Sequence, residues 1–151
     1  MITSIVELFA GYGYFTLFML SFLASTLVPI GSEWFLMAIV TKGYDPVLSL
    51  MVATVGNTLG ACTTYVIGLC GGPFFIGKIL RMSDKSIQRA ERFYAQYGLW
   101  SLLFSWVPLV GDPLCLVGGI LRVRLVPFSV LVLVGKLARY ALVISMTMTI
   151  R

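Results

Sequence analysis

Four long apolar blocks account for most of this chain, at about residues 8–41, 46–76, 99–121 and 125–150. Only 11% of the residues are Asp, Glu, Lys or Arg and 59% are hydrophobic, whereas an ordinary soluble domain carries about 25% charged residues. Because a membrane-spanning helix needs about 20 apolar residues, the blocks are long enough to enter or cross a bilayer. The pattern predicts an all-α integral membrane protein with a single domain over residues 1–151.

The one polar stretch lies between the second and third blocks and predicts an amphipathic helix over residues 83–97. Ser83 is a suitable N-cap and Gly98 a suitable helix stop. Basic residues outnumber acidic ones between Lys78 and Arg92, and this excess is typical of cytoplasmic segments. We therefore expect residues 46–70 to cross the membrane from an outer loop, "TKGYD", to a cytoplasmic helix.

The third block is interrupted by "VPLVGDP". If residues 99–121 crossed the membrane once, the "RVR" at 122–124 would lie outside, against the preference of basic residues for the cytoplasm. A re-entrant hairpin, broken at Pro108, Gly111 and Pro113, keeps these arginines inside. Residues 125–150 then form the second crossing. Non-helical backbone at membrane depth is tolerated where it is buried in protein or lines a cavity.

The first block has a similar interruption, "LVPIGSE", which predicts a re-entrant hairpin over residues 8–41 broken at Pro29 and Gly31. A single constant offset along the chain relates several pairs of residues: Pro29 and Pro108, Glu33 and Asp112, Asn57 and Lys136, Gly60 and Arg139. The sequence thus predicts an inverted repeat of two units, each a re-entrant helical hairpin plus a transmembrane helix, with the amphipathic cytoplasmic helix between them. Secondary transporters built in this way bind substrates near the midplane, at broken helices.

Four charged residues are predicted to lie at membrane depth: Glu33, Asp112, Lys136 and Arg139. Each costs about 2.5–3.5 kcal/mol there, and such residues usually mark substrate or ion pathways. Together with Asn57 they are the predicted substrate- or proton-binding site.

A structural explanation of the same charges stays open. Asp112 followed by Pro113 is a suitable N-cap and first helical residue, and Ser32 with Glu33 could begin the equivalent half-helix. Lys136 and Arg139 would then serve only to neutralise the two acids.

Small residues repeat every four positions in the second block, beginning with Gly56 and Gly60, and predict close helix packing. Such a face also leads us to expect a homodimer.

The three cysteines have no metal-site spacing and the chain has no histidine, so we expect no metal site. No cofactor motif or nucleophile constellation is present, which predicts no cofactor and no enzyme activity. The net charge of +5 is explained by membrane topology, and no nucleic acid is expected as a partner.

Several stretches resemble the DedA family, also called the SNARE-associated or VTT-domain membrane proteins, and in particular its small YqaA-type branch: "LVPIGSEWFLMA", "VATVGNTLGACTTYVIG", "SWVPLVGDPLCLVGG" and "GKLARY". The resemblance implies a multi-pass protein of the bacterial inner (cytoplasmic) membrane with two facing hairpins. It further implies movement of lipids between leaflets, notably undecaprenyl phosphate or phosphatidylethanolamine, often with dependence on the proton gradient.

By position, the resemblance implies functional acids at Glu33 and Asp112. The chain departs from the family's pattern at Ser105 and Gly111, where better-studied members carry arginines on either side of the hairpin proline. Lys136 and Arg139 are the candidates to supply the missing positive charge.

These observations predict a translocase for an anionic or zwitterionic lipid, with membrane lipids as partners and protons as the coupling ion. Two alternatives remain: a proton-coupled exporter of small cations, and a non-transporting membrane scaffold.

Overall fold

The computed structural model describes residues 12–26, 31–71, 83–107 and 110–150. All regular secondary structure in these ranges is helical, which confirms the all-α prediction. The predicted breaks at Pro29 and Pro108 lie outside the described residues. In chain order the elements are α1 (Gly13–Thr26), α2 (Ser32–Thr41), α3 (Pro46–Cys70), α4 (Asp84–Tyr97), a 3₁₀ helix (Gly98–Trp106), α5 (Gly111–Ile120) and α6 (Leu125–Ile150).

The two long helices, α3 and α6, have 25 and 26 residues and are apolar enough to cross a membrane. At a rise of 1.5 Å per residue each is about 38 Å long, more than the roughly 30 Å of a bilayer's hydrocarbon core. Asp45 caps α3 by accepting a hydrogen bond from the Leu48 N–H at 2.8 Å. The two helices run antiparallel in contact, with the rings of Tyr65 and Phe128 4.6 Å apart between their centroids.

The other apolar helices are too short to cross a bilayer. Helix α1 has 14 residues, and α2 and α5 have 10 each, which corresponds to about 21 Å and 15 Å. Helix α3 packs against α1 and α5, whereas α6 packs against the 3₁₀ helix and α2.

Glycines allow the helix backbones to touch at these crossings. A Cβ at Gly56 or Gly60 would collide with a backbone carbonyl of α1, and one at Gly119 would collide with the Tyr65 carbonyl of α3. The face of α3 that carries Gly56 and Gly60 is therefore filled by α1 of the same chain. The homodimer stays a prediction, without support from this face.

Helix α4 joins one end of the bundle through a narrow apolar face. Ser83 accepts a hydrogen bond from the Ser86 N–H, and Gly98 ends the helix with a positive φ of 59°. Ala90 and Tyr94 are buried in a hydrophobic cluster with residues of α3, the 3₁₀ helix, α5 and α6. The charged residues of α4 lie on the opposite, exposed face.

Two hydrophobic clusters lie at opposite ends of the α3–α6 pair. The first contains Ala61 and Val132 and the second Ala53 and Tyr140. Between them lies a group of polar and charged side chains from α1, α2, α3, α5 and α6, which we call the polar layer: Ser25, Ser32, Glu33, Asn57, Asp112, Lys136, Arg139 and the Tyr140 hydroxyl.

Candidate functional site

The polar layer lies near the midpoint of both long helices. Asn57 and Lys136 each follow the first residue of their helix by about 17 Å, close to half of its length. Lys136 and Arg139 are one turn apart and therefore share a face of α6. Lys136 is only 3% exposed. Both cationic side chains therefore extend from near the middle of α6, about as far from the two helix ends as they can be.

Three different helices surround the Lys136 ammonium group with oxygen atoms. Its Nζ donates hydrogen bonds to Ser25 Oγ of α1 at 3.1 Å and to Asn57 Oδ1 of α3. Asp112 Oδ1 of α5 lies 3.9 Å from the same Nζ, and Ser25 Oγ donates to that carboxylate at 3.3 Å. An ammonium group has three N–H donors and no acceptor, so this oxygen cage matches its requirements.

The second cation pairs with the second acid. Arg139 of α6 forms a salt bridge with Glu33 of α2, and their side chains are 25% and 16% exposed. The Lys136 side chain, in comparison, is 4% exposed. Arg139 is therefore the more accessible of the two cations.

The Tyr140 hydroxyl links the two charge pairs. It accepts a hydrogen bond from Asn57 Nδ2 at 2.7 Å and shares another with Ser32 Oγ at 2.6 Å. Asn57 in turn bonds Lys136, and Ser32 directly precedes Glu33. A continuous chain of polar contacts thus runs from Asp112 across the bundle to the start of α2.

The structure corrects the expectation that Asp112 caps its helix, whereas α2 does begin at Ser32 with Glu33 in its first turn, as predicted. Helix α5 begins at Gly111 with Val110 at the N-cap position, and no side chain caps it. The reason is the bond from Gly111 N–H to the Val107 carbonyl at 2.9 Å, which starts the helix before Asp112. Helix α2 has Gly31 at its N-cap and also lacks a side-chain cap. Both carboxylates are instead directed at cations.

The predicted break residues surround these acids. A Cβ at Gly31 would meet the Glu33 carboxylate, which would have to move, whereas a Cβ at Gly111 would collide with the backbone carbonyl of Ser105. Pro113 is buried in the first turn of α5. The tight contact at Gly111 explains why this chain carries no arginine at that position.

Sequence reasoning missed the hydroxyl groups that hold the charges together. Ser25 and Tyr140 were not predicted as part of the site, and Ser32 was considered only as a helix cap. A signal was available in α1, where Ser21 and Ser25 are one turn apart and both buried. The buried hydroxyl of Ser105 has no hydrogen-bond partner among the described residues.

At each of the two charge pairs, Lys136–Asp112 and Arg139–Glu33, the cation can exchange its carboxylate partner for another anion. An incoming anion can compete with Glu33 or Asp112 for a cation, and protonation of either acid weakens its pair. In the described parts of the chain, no group of three or more His, Cys, Asp or Glu side chains could hold a metal ion.

Comparison with known proteins places the chain in a family. The VTT domain model matches residues 28–148. The chain is 37% identical over 134 residues to "Inner membrane protein YqaA" of Escherichia coli, covering 88% of this chain and 89% of that protein. It is 35% identical over 132 residues to an "Uncharacterized protein" of Haemophilus influenzae, with 82% and 80% covered.

A more distant relative carries a functional name. "Undecaprenyl phosphate transporter A" of Staphylococcus aureus is 26% identical over 143 residues, which cover 87% of this chain and 70% of that protein. No solved structure matches the chain at a significant level. From the match over residues 28–148 and the similarity to the E. coli inner membrane protein, we conclude that this chain belongs to the VTT-domain family of membrane proteins, also called the DedA family.

Proposed function

We propose that this protein is a lipid translocase of the bacterial inner membrane. It moves an anionic or zwitterionic lipid, of the undecaprenyl phosphate or phosphatidylethanolamine class, between leaflets and couples this movement to protons. The observation that carries the proposal is the pairing of Lys136 and Arg139, at the middle of one long helix, with acids from two different short helices. The name of the S. aureus relative supports the lipid class.

The proposal includes an inverted repeat of two units with re-entrant hairpins. Helix α3 packs against α1 of its own unit and α5 of the other, and α6 packs against the 3₁₀ helix of its own unit and α2 of the other. In both units, the long helix packs against the first short helix of its own unit and the second short helix of the other. This shared pattern supports a repeat. The lengths of α1, α2 and α5, about 15–21 Å, support hairpins that enter the bilayer without crossing it.

The cations of the polar layer serve the lipid headgroup. A phosphate bound to Arg139 or Lys136 gains charge-assisted hydrogen bonds, while the hydrocarbon chain stays in the bilayer. A headgroup that crossed the hydrocarbon core alone would carry its charge through an apolar medium at a large cost. The polar layer lowers this barrier halfway through the membrane.

Proton coupling follows from the competition between the acids and the lipid for the same cations. When Glu33 or Asp112 takes up a proton, its cation loses a negative partner and binds a lipid phosphate more strongly. When the acid loses the proton, the internal salt bridge forms again and the lipid is released. Transport should therefore respond to the pH on each side of the membrane.

The two alternative functions make different use of the same residues. An exporter of small cations would bind its solute on Glu33 and Asp112, but both acids already face a cation of the protein. A scaffold would use the charge pairs only for stability. We therefore rank both below lipid translocation.

The test is leaflet exchange in liposomes that contain the purified protein, with labelled undecaprenyl phosphate and labelled phosphatidylethanolamine. The variants are Glu33→Gln and Asp112→Asn. The matched control is Asp45→Asn, another acid-to-amide change, at the N-cap of α3, where Asn caps about as well as Asp.

We expect the wild type and the Asp45→Asn variant to exchange at least one of the lipids, with a rate that depends on pH. The folded Glu33→Gln and Asp112→Asn variants should lose this pH dependence. No exchange of either lipid by the wild type would refute the proposal. Solute-dependent transport that survives loss of Lys136 and Arg139 would favour the cation exporter.

A further inference from the structure

An apolar cleft of about 480 Å³ lies between α1 and α2. Its walls are almost entirely hydrocarbon, and the side chains that form them are Leu20, Leu23, Ala24, Trp34, Phe35 and Ala38. Trp34 is 77% exposed and Leu23 42%, so the cleft opens on the outer surface of the bundle. In a membrane this surface faces lipid.

Charged groups lie next to one part of the cleft. Gly31 and Ser32 form its polar part, and the carboxylate of Glu33, which is paired with Arg139, lies against Gly31. Ser32 is hydrogen-bonded to the Tyr140 hydroxyl at 2.6 Å. An apolar cleft next to an arginine–carboxylate pair has the polarity of a lipid with an anionic headgroup.

The size of the cleft limits what it can hold. Sites for small ligands have volumes of about 300–1,000 Å³, and the cleft lies in the lower half of that range. It suits a single hydrocarbon chain better than a complete two-chain phospholipid.

The headgroup of such a lipid would reach Arg139 before it reached Lys136, because the Arg139 side chain is 25% exposed and the Lys136 side chain 4%. A phosphate monoester carries about 1.5–2 negative charges near neutral pH, whereas the Glu33 carboxylate carries one. Phosphate also accepts two parallel hydrogen bonds from one guanidinium group. It can therefore replace Glu33 on Arg139.

We propose that the cleft between α1 and α2 binds one hydrocarbon chain of the transported lipid, and that the lipid's phosphate takes the place of Glu33 on Arg139. This inference rests on the proposed function and adds to it the place where the lipid enters. Glu33 is then a competitor of the lipid, and its displacement starts the passage of the headgroup towards the middle of the membrane.

Trp34 allows a direct test, because its ring forms a wall of the cleft. In a single-tryptophan protein, with Trp100→Phe and Trp106→Phe, bromine atoms on a lipid chain quench Trp34 only on contact. The protein is placed in phosphatidylcholine vesicles that contain a minor fraction of chain-brominated phosphatidic acid. Brominated phosphatidylcholine at the same fraction gives the quenching expected from random contact.

We expect the brominated phosphatidic acid to be enriched at Trp34 by about tenfold over its bulk fraction. This is the gain expected from one charge-assisted hydrogen bond between the lipid phosphate and Arg139. Arg139→Gln should abolish the enrichment, and Glu33→Gln should increase it because the competitor is removed. Ala38→Phe should also abolish it by filling the cleft. Val130→Phe introduces the same aromatic side chain at an exposed position of α6 outside the cleft and should leave the enrichment unchanged.

The inference would be overturned if brominated phosphatidic acid quenched wild-type Trp34 no more than brominated phosphatidylcholine does. An enrichment that persists in the Arg139→Gln or Ala38→Phe variant would also overturn it. A decrease in the Glu33→Gln variant would also overturn it, because a purely structural acid behaves in that way. Displacement of the lipid by inorganic phosphate alone would show that the chain contributes nothing to binding.

Leaflet exchange of labelled undecaprenyl phosphate and labelled phosphatidylethanolamine, measured in parallel on vesicles that also contain these lipids, separates the two proposals. Enrichment without exchange contradicts the translocase and leaves the lipid site standing. Exchange without enrichment contradicts the lipid site and leaves the translocase standing.

Discussion

Lys136 has the most demanding surroundings of any single residue described here. Its ammonium group is buried and held by Ser25, Asn57 and Asp112. Taking a charge out of water costs several kcal/mol, which only good partners can offset. The pairing of Lys136 with Asp112 is therefore expected to affect stability.

Replacing Lys136 with Met is expected to destabilise the protein by about 3 kcal/mol, because it leaves the Asp112 carboxylate without its cation. The double variant Lys136→Met/Asp112→Asn carries no unpaired charge and should recover most of this loss. The measurement is unfolding of the detergent-solubilised proteins. Lys85→Met, at an exposed position of α4, is the control and should change stability by less than about 0.5 kcal/mol. Equal instability of the single and double variants would show that the two residues are not coupled.

Tyr140 contributes through its hydroxyl group. Tyr140→Phe keeps the ring but leaves Asn57 Nδ2 and Ser32 Oγ without their partner, at an expected cost of about 1–3 kcal/mol. Thermal unfolding measures the loss. Tyr12→Phe is the matched control, since Tyr12 is 69% exposed and its hydroxyl can bond to water. A loss no larger than that of the control would mean that the link between the charge pairs adds no stability.

At the scale of the helices, backbone contact at glycines fixes how the short and long helices cross. Gly119 of α5 lies where a Cβ would collide with the Tyr65 carbonyl of α3, whereas a Cβ at Gly135 of α6 would lie 3.0 Å from the Leu103 carbonyl. The first contact is therefore much the tighter.

Gly119→Ala is expected to push α5 away from α3 and to cost about 1–3 kcal/mol, as overpacked sites do. Gly135→Ala makes the same chemical change at the looser crossing and should cost less. Unfolding in detergent compares the two variants. If Gly135→Ala proves the more harmful, the α3–α5 crossing is not the tighter one in the detergent-solubilised protein.

Local sequence signals predicted some elements well and others poorly. The boundaries of α4 follow from Ser83 and Gly98, which act within one turn of the helix. The start of α5 was predicted wrongly at Asp112, because the Asp-Pro pair is a good local cap. The actual start depends on the Val107 carbonyl and on the close contact between Ser105 and Gly111, which a local capping pattern does not reveal.

At the scale of the whole molecule, the arrangement in the membrane can be tested by labelling. With Cys62, Cys70 and Cys115 replaced, single cysteines at Lys42, Lys85 and Arg124 sit at exposed positions of three different loops or helices. A membrane-impermeant maleimide should label Lys42→Cys from the outside, and Lys85→Cys and Arg124→Cys only from the cytoplasm. Residues 85 and 124 lie on the same side of the membrane if residues 99–121 enter the membrane and return to the side from which they entered.

Labelling of Lys85→Cys and Arg124→Cys from opposite faces would mean that residues 99–121 cross the membrane once, and the inverted repeat would then be wrong. Lys42→Cys is the control for the outer face, and permeabilised cells give the full labelling of each position.

The sequence could predict which charged residues lie within apolar segments, because any Asp, Glu, Lys or Arg in an apolar block stands out. It could not predict that Glu33 pairs with Arg139 and Asp112 with Lys136. These pairs join residues from different helices, so they depend on how α2 and α5 pack against α6. Ser25 and Tyr140 were missed for a related reason, since single hydroxyls in apolar helices are common and gain a role only from their neighbours.

The polar layer contains two acids and two cations among the described residues, so with all four ionised its net charge is zero. The voltage across a membrane does work in proportion to the net charge that moves, about 2.3 kcal/mol per elementary charge for each 100 mV. A displacement of the whole layer along the membrane normal would therefore be electrically silent. A voltage response would arise only when a proton or a lipid anion alters that sum, and its sign would tell which of the two had been bound.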